Sequence, residues 1–236
     1  IFYKLIKFIG RENILNADEF FLRFKENKLS SKNLCLTFDD GIKCQFDVAL
    51  PVLEDLKIKS FFFVYTSMFE GKPDNLEVFR YFRMNYFNSV DEFYINFYKV
   101  VNNDLNEFFK KNEDVIKKTK IKFPFYTIED IKFRLIRDKY LTKKEYERNM
   151  SLMMKEKNFE PKSHFSLLFF DKKDLNQLNS LGHLIGLHSH NHPTLLERLS
   201  YDEQKVDYEN CISIISKITY KPKSEIKVYV PSLWKL

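Results

Sequence analysis

Two adjacent carboxylates, Asp39 and Asp40, are the first residues of this sequence whose types and position suggest chemistry. They follow the apolar run 33–38 (NLCLTF) and precede Gly41, which predicts a buried strand that ends in a tight polar turn. Parallel α/β sheets place functional groups where strands end. Adjacent side chains on a turn can point in different directions. One carboxylate can therefore bind a cation while the other acts as a general base close to that charge.

Three of the five histidines form a second group, His188, His190 and His192, directly after the predicted strand 182–187 (GHLIGL). His188 and His192 have the H-x3-H spacing seen among zinc ligands. Pro193 disfavours helical backbone at His192, which predicts that the pair lies on a loop or a single turn. With one aspartate, the two histidines form an oxygen–nitrogen donor set that leaves positions open for water and substrate. Such a set favours catalysis, with Zn²⁺, Fe²⁺, Co²⁺, Ni²⁺ or Mn²⁺ as candidates.

The segments around the aspartates predict a βαβ unit. After the turn, segment 48–56 has apolar residues at helical spacing, with Pro51 in the first turn. The continuous apolar run 60–65 (SFFFVY) suits a strand that is covered on both faces. A strand, a helix and a second strand in this order predict a parallel sheet.

The middle of the chain, from about 75 to 160, predicts a helical insertion in this α/β frame. Three helix starts there resemble capping boxes, namely Ser89-x-x-Glu92, Thr127-x-x-Asp130 and Thr142-x-x-Glu145. Aromatic residues such as Phe93 and Phe97 recur at helical spacing. We interpret this stripe as core packing rather than as a cofactor site.

The α/β alternation resumes near the end of the chain. Segment 200–203 is a capping box that opens a predicted helix to about 218, and 226–230 predicts a last strand. The two histidines outside the cluster, His164 and His183, are predicted to be ordinary packed or surface residues. The whole of 1–236 is therefore predicted to form one α/β domain.

The composition excludes several classes of protein. Hydrophobic residues make up 44% of the 236-residue chain and charged residues 31%, which excludes a disordered protein. No apolar run approaches the ~18 residues that a membrane span requires, so no integral membrane segment is predicted. The net charge of +6 is spread over lysine-rich helix surfaces and does not favour nucleic-acid binding. Cys35, Cys44 and Cys211 form no CxxC pair, which favours a reducing compartment and predicts a cytoplasmic protein.

The two motifs together resemble the polysaccharide deacetylase family, which is defined by NodB homology and is also called carbohydrate esterase family four. Segment 36–41 (LTFDDG) resembles the first motif of the family, and 186–193 (GLHSHNHP) is similar to its second, H-[ST]-x-x-H. Both motifs follow predicted strands and occur in the family's order. Segments 45–65 and 76–83 further resemble a branch associated with bacterial cell-surface polysaccharide and lipopolysaccharide loci.

The resemblance implies a fold and a reaction. The fold would be an incomplete (β/α) barrel of the NodB-homology type, with the helical region inserted. The reaction would be metal-dependent removal of N-acetyl groups from amino sugars in surface polysaccharide or lipopolysaccharide synthesis. Zn²⁺ is the first candidate for the metal, with Fe²⁺, Co²⁺, Ni²⁺ and Mn²⁺ as alternatives, and an N-acetylated amino sugar is the implied substrate.

The resemblance also implies the role of each site residue. Asp39 would be the catalytic base. The metal ligands would be Asp40, His188 and His192. Gly41 would permit the turn after the aspartates, and Ser189 would steady the histidine loop by hydrogen bonds.

Part of the family's pattern does not follow His192. The sequence contains no R-x-P-Y, no D-x-x-D-W and no final L-x-H, whose histidine is the general acid of the family, so we expect a C-terminally truncated deacetylase domain. A possible coding sequence for 229–236 (YVPSLWKL), read one base later, encodes Met-Ser-His-Pro-Cys-Gly-Asn and ends on TA, the first two bases of a tyrosine codon. That string resembles the third motif of this branch, and our hypothesis is a frameshift near codon 229.

Two alternatives stay open at this point. A truncated remnant would bind metal or carbohydrate without turnover. A basic nucleic-acid binder would rest on the net charge alone, since the sequence contains no recognised nucleic-acid motif. Metal content separates the enzyme and the remnant from the nucleic-acid binder, and release of acetate separates the enzyme from the remnant. The sequence leaves the oligomeric state open.

Overall fold

The computed structural model describes residues 1–101, 104–193 and 196–226. The chain divides into two compact units, one formed by Ile1–Asp74 with His164–Leu236 and the other by Asn75–Ser163.

The strands are β1 (Thr37–Asp39), β2 (Phe61–Val64) and β3 (Leu184–Leu187). The α-helices are α1 (Phe2–Ile9), α2 (Ala17–Lys25), α3 (Leu50–Asp55), α4 (Asn75–Asn85), α5 (Val90–Val101), α6 (Asn106–Lys111), α7 (Glu113–Lys122), α8 (Ile128–Leu135), α9 (Lys143–Glu156), α10 (Phe165–Leu168), α11 (Lys172–Ser180) and α12 (Tyr201–Thr219). Short 3₁₀ turns cover Arg11–Asn13, Ser67–Glu70, Pro161–His164, Leu196–Arg198 and Lys223–Glu225, and π turns cover Gln45–Ala49 and Ile136–Tyr140.

The sheet of the first unit is parallel, with the strand order β1-β2-β3. Asp39 at the end of β1 pairs with Phe63, and Val64 at the end of β2 pairs with Leu187 at the end of β3. The three carboxyl ends therefore meet at one edge of the sheet. The α/β class and the parallel sheet are confirmed, whereas the incomplete (β/α) barrel stays a prediction.

The central strand β2 is buried along its whole length, as the run SFFFVY predicts. Because side chains alternate along a strand, Phe61 and Phe63 lie on one face, where they pack against Ala17 at the start of α2. Phe62 lies on the opposite face and stacks on Phe38 with ring centroids 4.9 Å apart. A strand covered on both faces is thus confirmed.

His183 is the packed histidine that the sequence predicts. Its side chain has no exposed surface and lies edge-on to the ring of Phe62. The Ser60 amide N–H donates to His183 Nδ1 at 3.1 Å, and His183 Nε2 lies 3.2 Å from Glu54 Oε1. The buried imidazole therefore links the segment before β3 to Ser60 and Glu54 and has a structural role.

Two element boundaries differ from the sequence prediction. The strand predicted over 33–38 begins only at Thr37, and Leu34 forms an isolated parallel bridge with Ile14. The prediction that this strand is buried is wrong, since Thr37 is exposed and Phe38 is half-buried. The helix predicted over 48–56 opens with the π turn Gln45–Ala49 before α3. Pro51 lies in the first turn of α3 as predicted. Since proline has no N–H and crowds the carbonyl four residues earlier, the wider turn before it has a direct steric reason.

The second unit is helical, as predicted for about 75–160, and it contains α4 to α9. Thr127 and Thr142 form the predicted capping boxes of α8 and α9. At α5, Ser89 accepts the Glu92 amide N–H at 3.1 Å, while the Glu92 carboxylate reaches the amide of Asn88 instead. The aromatic stripe of α5 is fully buried, which confirms that it belongs to the core. The assignment of 1–236 to one domain stays a prediction.

The last described elements agree with the sequence prediction as far as they extend. Ser200 and the residue three positions later form the capping box of α12, which ends at Thr219. The strand predicted at 226–230 lies outside the described residues beyond Ile226, and so does segment 229–236. None of the helices in the described ranges has the length and apolar character that a bilayer crossing needs.

Candidate metal centre

The turn after β1 places the two aspartates at the carboxyl edge of the sheet. Asp40 and Gly41 both adopt left-handed backbone, with φ of 74° and 64°. This position favours glycine because of its left-handed backbone, although the Met68 side chain would also have to move to admit a Cβ at Gly41, 2.5 Å from its Cε atom. Gln45 Nε2 donates to the Asp39 carbonyl at 2.5 Å and closes the turn. The tight polar turn after the first strand is confirmed.

The histidine loop leaves β3 directly after Leu187. Ser189 and His192 both have positive φ, 72° and 51°, and the Ser189 hydroxyl accepts the His192 amide N–H at 2.9 Å. His188 and His192 therefore lie on a single closed loop, as the sequence predicts. Left-handed backbone at non-glycine residues costs about 1–2 kcal/mol each, and such strain concentrates at functional sites.

Asp40, His188 and His192 converge on one point. The Nε2 atoms of both histidines lie 3.1 Å from the same Asp40 oxygen, Oδ1, and one ligand atom from each residue lies within 4.8 Å of the others. The histidine side chains are 3% and 8% exposed, and that of Asp40 is 13% exposed. Two strand ends that the sequence separates by 148 positions thus supply one buried donor cluster.

The cluster fits a divalent cation. Asp40 Oδ1 and His192 Nε2 are buried and make no properly directed hydrogen bond, although they lie close together. Buried polar atoms are ordinarily satisfied, so buried donor atoms that lack a hydrogen bond and lie close together favour a bound ligand. One carboxylate oxygen and two imidazole nitrogens form the type of set that holds Zn²⁺ and related ions with coordination positions left open.

The charges in the cluster depend on one another. Burial by itself raises the pKa of Asp40, but the two histidine rings beside it hold the pKa of this carboxyl well below its ordinary value. Burial lowers the pKa of His192, and the contacts with Asp40 and Asp74 outweigh this effect and raise the pKa to about 9. Asp40 is therefore an anion at neutral pH, which is the state that a cation ligand needs, whereas His192 must release its proton when a cation binds.

Asp39 lies beside the cluster in a different environment. Burial raises the pKa of its carboxyl, His188 opposes the rise and the negative charge of Asp40 adds to it. Its Oδ1 atom is buried without a hydrogen-bond partner in the described structure. Asp39 is thus a carboxylate that binds a proton more readily than an exposed aspartate does.

The end of β2 supplies residues that the sequence did not single out. Tyr65 stacks on His192 with ring centroids 4.8 Å apart, and its hydroxyl accepts the Asp74 amide N–H at 3.0 Å. The Asp74 carboxylate lies 3.9 Å from His192 Nδ1, on the side of the ring away from Asp40. Carboxylates in this position orient histidine ligands in metal sites. The sequence places Tyr65 at the end of a predicted strand on the same sheet edge, but it contains no signal that its ring packs on His192.

The third histidine of the triplet, His190, lies outside the donor cluster. Its Nδ1 atom is 2.9 Å from the Thr66 hydroxyl, and its carbonyl accepts the Ser67 amide N–H at 3.0 Å. Its Nε2 atom lies 3.8 Å from Glu70. His190 therefore attaches the loop to the segment after β2.

No curated protein sequence matches this chain. Among solved structures, a Streptococcus pyogenes deacetylase, PplD, in complex with acetate matches with a TM-score of 0.45 and 14% identity. The match covers 90% of this chain and 55% of that one, so this chain spans about half of its length.

A family model matches most of the chain. The model is that of polysaccharide deacetylase, and it matches residues 26–82 and 91–231. The first matched segment contains Asp39 and Asp40, and the second contains His188 and His192. These 198 of 236 positions carry both motifs and all three strands, and the chain therefore belongs to the polysaccharide deacetylase family.

Proposed function

We propose that this chain is a metal-dependent N-deacetylase of amino sugars that acts in the cytoplasm in surface polysaccharide or lipopolysaccharide synthesis. Family membership supports the hydrolysis of N-acetyl groups. The single observation that carries the metal dependence is the convergence of Asp40, His188 and His192 beside Asp39. The three cysteines are free thiols, which supports a reducing compartment.

In this proposal Asp40, His188 and His192 hold the cation, with Zn²⁺ as the first candidate. When bound, such an ion polarises an acetyl carbonyl and lowers the pKa of water. Asp39 accepts the proton that the attacking water loses, and its raised pKa makes it a stronger base than an exposed aspartate. The amide bond breaks as the sugar nitrogen gains a proton, and we assign no described residue to that step.

The test measures metal content and acetate release in parallel. The wild-type chain should bind about one Zn²⁺ or Co²⁺ and release acetate from at least one member of a panel of N-acetylated amino sugars. His188→Ala and His192→Ala should each lose the metal and the activity. His164→Ala, which removes a histidine outside the cluster, is the matched control and should keep both.

Two results would count against the proposal in different ways. Metal binding without acetate release from any substrate of the panel would favour the remnant that binds metal or carbohydrate without turnover. Equal metal content in the wild type and both alanine variants would show that the donor cluster is not a metal site.

A further inference from the structure

Asp207 on α12 is a buried carboxylate that faces the histidine loop. It is 4% exposed. One of its oxygens accepts the His190 amide N–H at 2.6 Å. The other accepts the Asn191 amide N–H at 3.0 Å and the Asn191 side-chain amide at 2.8 Å. Both carboxylate oxygens are therefore used by two consecutive residues of one loop.

The position of this carboxylate has an energetic cost that the loop offsets. A buried charge is strongly unfavourable unless it is paired or hydrogen-bonded. Across the described ranges, no lysine, arginine or histidine side chain forms an ion pair with Asp207. Its hydrogen bonds in this part of the structure come from three N–H groups of the loop. Hydrogen bonds to an ionised acceptor are stronger than neutral ones, so Asp207 and the loop backbone hold one another in place.

The bonds to Asp207 fall between the two histidines of the donor cluster. His190 and Asn191 separate the pair His188–Ser189 from His192. Because the Ser189 hydroxyl also holds the His192 amide, fixing the two central amides fixes the path of the whole loop. Displacement of the His190 or Asn191 amide would therefore move the ring of His188 before them or that of His192 after them.

Helix α12, which bears Asp207, is itself in contact with the sheet. Cys211, one helical turn beyond Asp207, is fully buried, and its Sγ atom lies 3.7 Å from the Val64 carbonyl at the end of β2. Thr66 and Ser67, just after β2, hold His190 from the other side. The loop is therefore attached at both sides to elements that are themselves anchored on the central strand.

We propose that Asp207 is a positioning residue of the metal centre, which sets the separation and direction of the His188 and His192 nitrogens and thereby the metal affinity. The inference rests on the proposed function, because it takes the donor cluster to be the metal site. Asp207 itself does not touch the donor atoms; it acts through the loop backbone.

The test compares Asp207→Asn with Glu209→Gln, an exposed charge removal on the same helix. In either orientation of the new amide, its NH₂ group faces a backbone N–H or the Asn191 amide, so at least one loop bond is lost. We expect the dissociation constant for Co²⁺ to rise about 10- to 100-fold in Asp207→Asn. The visible spectrum of bound Co²⁺ should change as well, because the ligand geometry changes. Glu209→Gln should match the wild type in both measurements.

The outcomes separate this inference from the proposed function. Failure of the wild type to bind Co²⁺ would overturn both. Binding by the wild type, with an unchanged affinity and spectrum in Asp207→Asn, would overturn the positioning role alone. Hydrogen exchange in the metal-free wild type needs no variant and covers the case in which Asp207→Asn does not fold. The amides of His190 and Asn191 should be protected, and free exchange at both would contradict the inference.

Discussion

At the scale of single residues, the two adjacent aspartates differ in environment and therefore in chemistry. Asp40 faces two imidazoles, which depress the pKa of its carboxyl and keep it anionic. At Asp39 burial raises the pKa of the carboxyl, and the charge of Asp40 adds to the rise although both histidines oppose it. Titratable neighbours whose environments shift their pKa values in opposite directions are typical of acid–base sites. One backbone turn thus gives two identical side chains different environments, which fits the proposed roles of Asp40 as a ligand and Asp39 as a base.

Asp39→Asn should separate binding from turnover. Asparagine keeps the size of the side chain but cannot accept the proton, so activity should fall by about 10²- to 10⁴-fold. The metal dissociation constant should stay within about threefold of the wild type, because Asp39 is outside the donor cluster. Acetate release and calorimetric titration with Zn²⁺ provide the two measurements. Asp55→Asn, at the exposed end of α3, is the control; full turnover in Asp39→Asn would refute the base assignment.

At the scale of elements, the position of the donor cluster could be predicted from the sequence better than the residues that support it. The runs before Asp39 and His188 indicated two strand ends, and parallel strands bring their carboxyl ends together, so the donor cluster could be predicted. The supports at Tyr65 and Asp207 could not. Each is one ordinary residue of a strand end or a helix, and only the tertiary packing turns it toward the loop. The π turn before Pro51 was missed for a similar reason, since helical spacing does not distinguish the two kinds of turn.

The burial of His183 predicts that the stability of the chain depends on pH. Burial lowers the pKa of this imidazole, with Lys59 acting in the same direction and Glu54 opposing. The unfolded chain therefore binds the proton more readily than the folded one, and the free energy of unfolding should fall as the pH drops below about 6.5. Above that pH the contribution is fully present. One such group contributes at most about 1.4 kcal/mol per pH unit to the slope.

His183→Gln removes the titrating group and is the variant for this measurement. Urea unfolding between pH 8 and pH 5 should show a shallower loss of stability toward low pH than in the wild type. The absolute stability of the variant should be lower at pH 8, because the bonds to Ser60 and Glu54 are altered. Parallel curves for the two proteins over this range would contradict the assignment of His183.

At the scale of the whole molecule, the donor cluster depends on long-range structure. β1 and β3 do not pair with each other; both pair with β2, so the distance between Asp40 and His188 is set by the central strand. A cation that binds the assembled cluster would bind the folded chain and not an unfolded one. The helical segment between the motifs was visible in the sequence as a change of pattern, and it coincides with the second compact unit, Asn75–Ser163. The barrel stays a prediction, because the sheet of the described residues contains three strands and does not show whether a barrel forms.

Removal of the metal should therefore lower the thermal stability of the chain. At a free Zn²⁺ concentration 100 times the dissociation constant, binding adds about 2.7 kcal/mol to the free energy of unfolding. Addition of a chelator should reverse the gain, and His192→Ala should show no response to either treatment. Differential scanning calorimetry with and without chelator measures this effect. An identical Tm in the two conditions for the wild type would contradict a metal site that forms only on folding.

The central position of β2 has a consequence for how the chain reaches its native state. Ser60 and its hydrogen-bonding partner His183 are 123 residues apart, so one side of β2 has no neighbour until the strand order is completed from the far end of the chain. Contacts with such a long sequence separation slow folding. Until then the run Phe61–Val64 presents an apolar strand with an unpaired edge, which is a typical starting point for aggregation during synthesis or refolding. The yield of native protein should depend on how quickly β3 closes that edge.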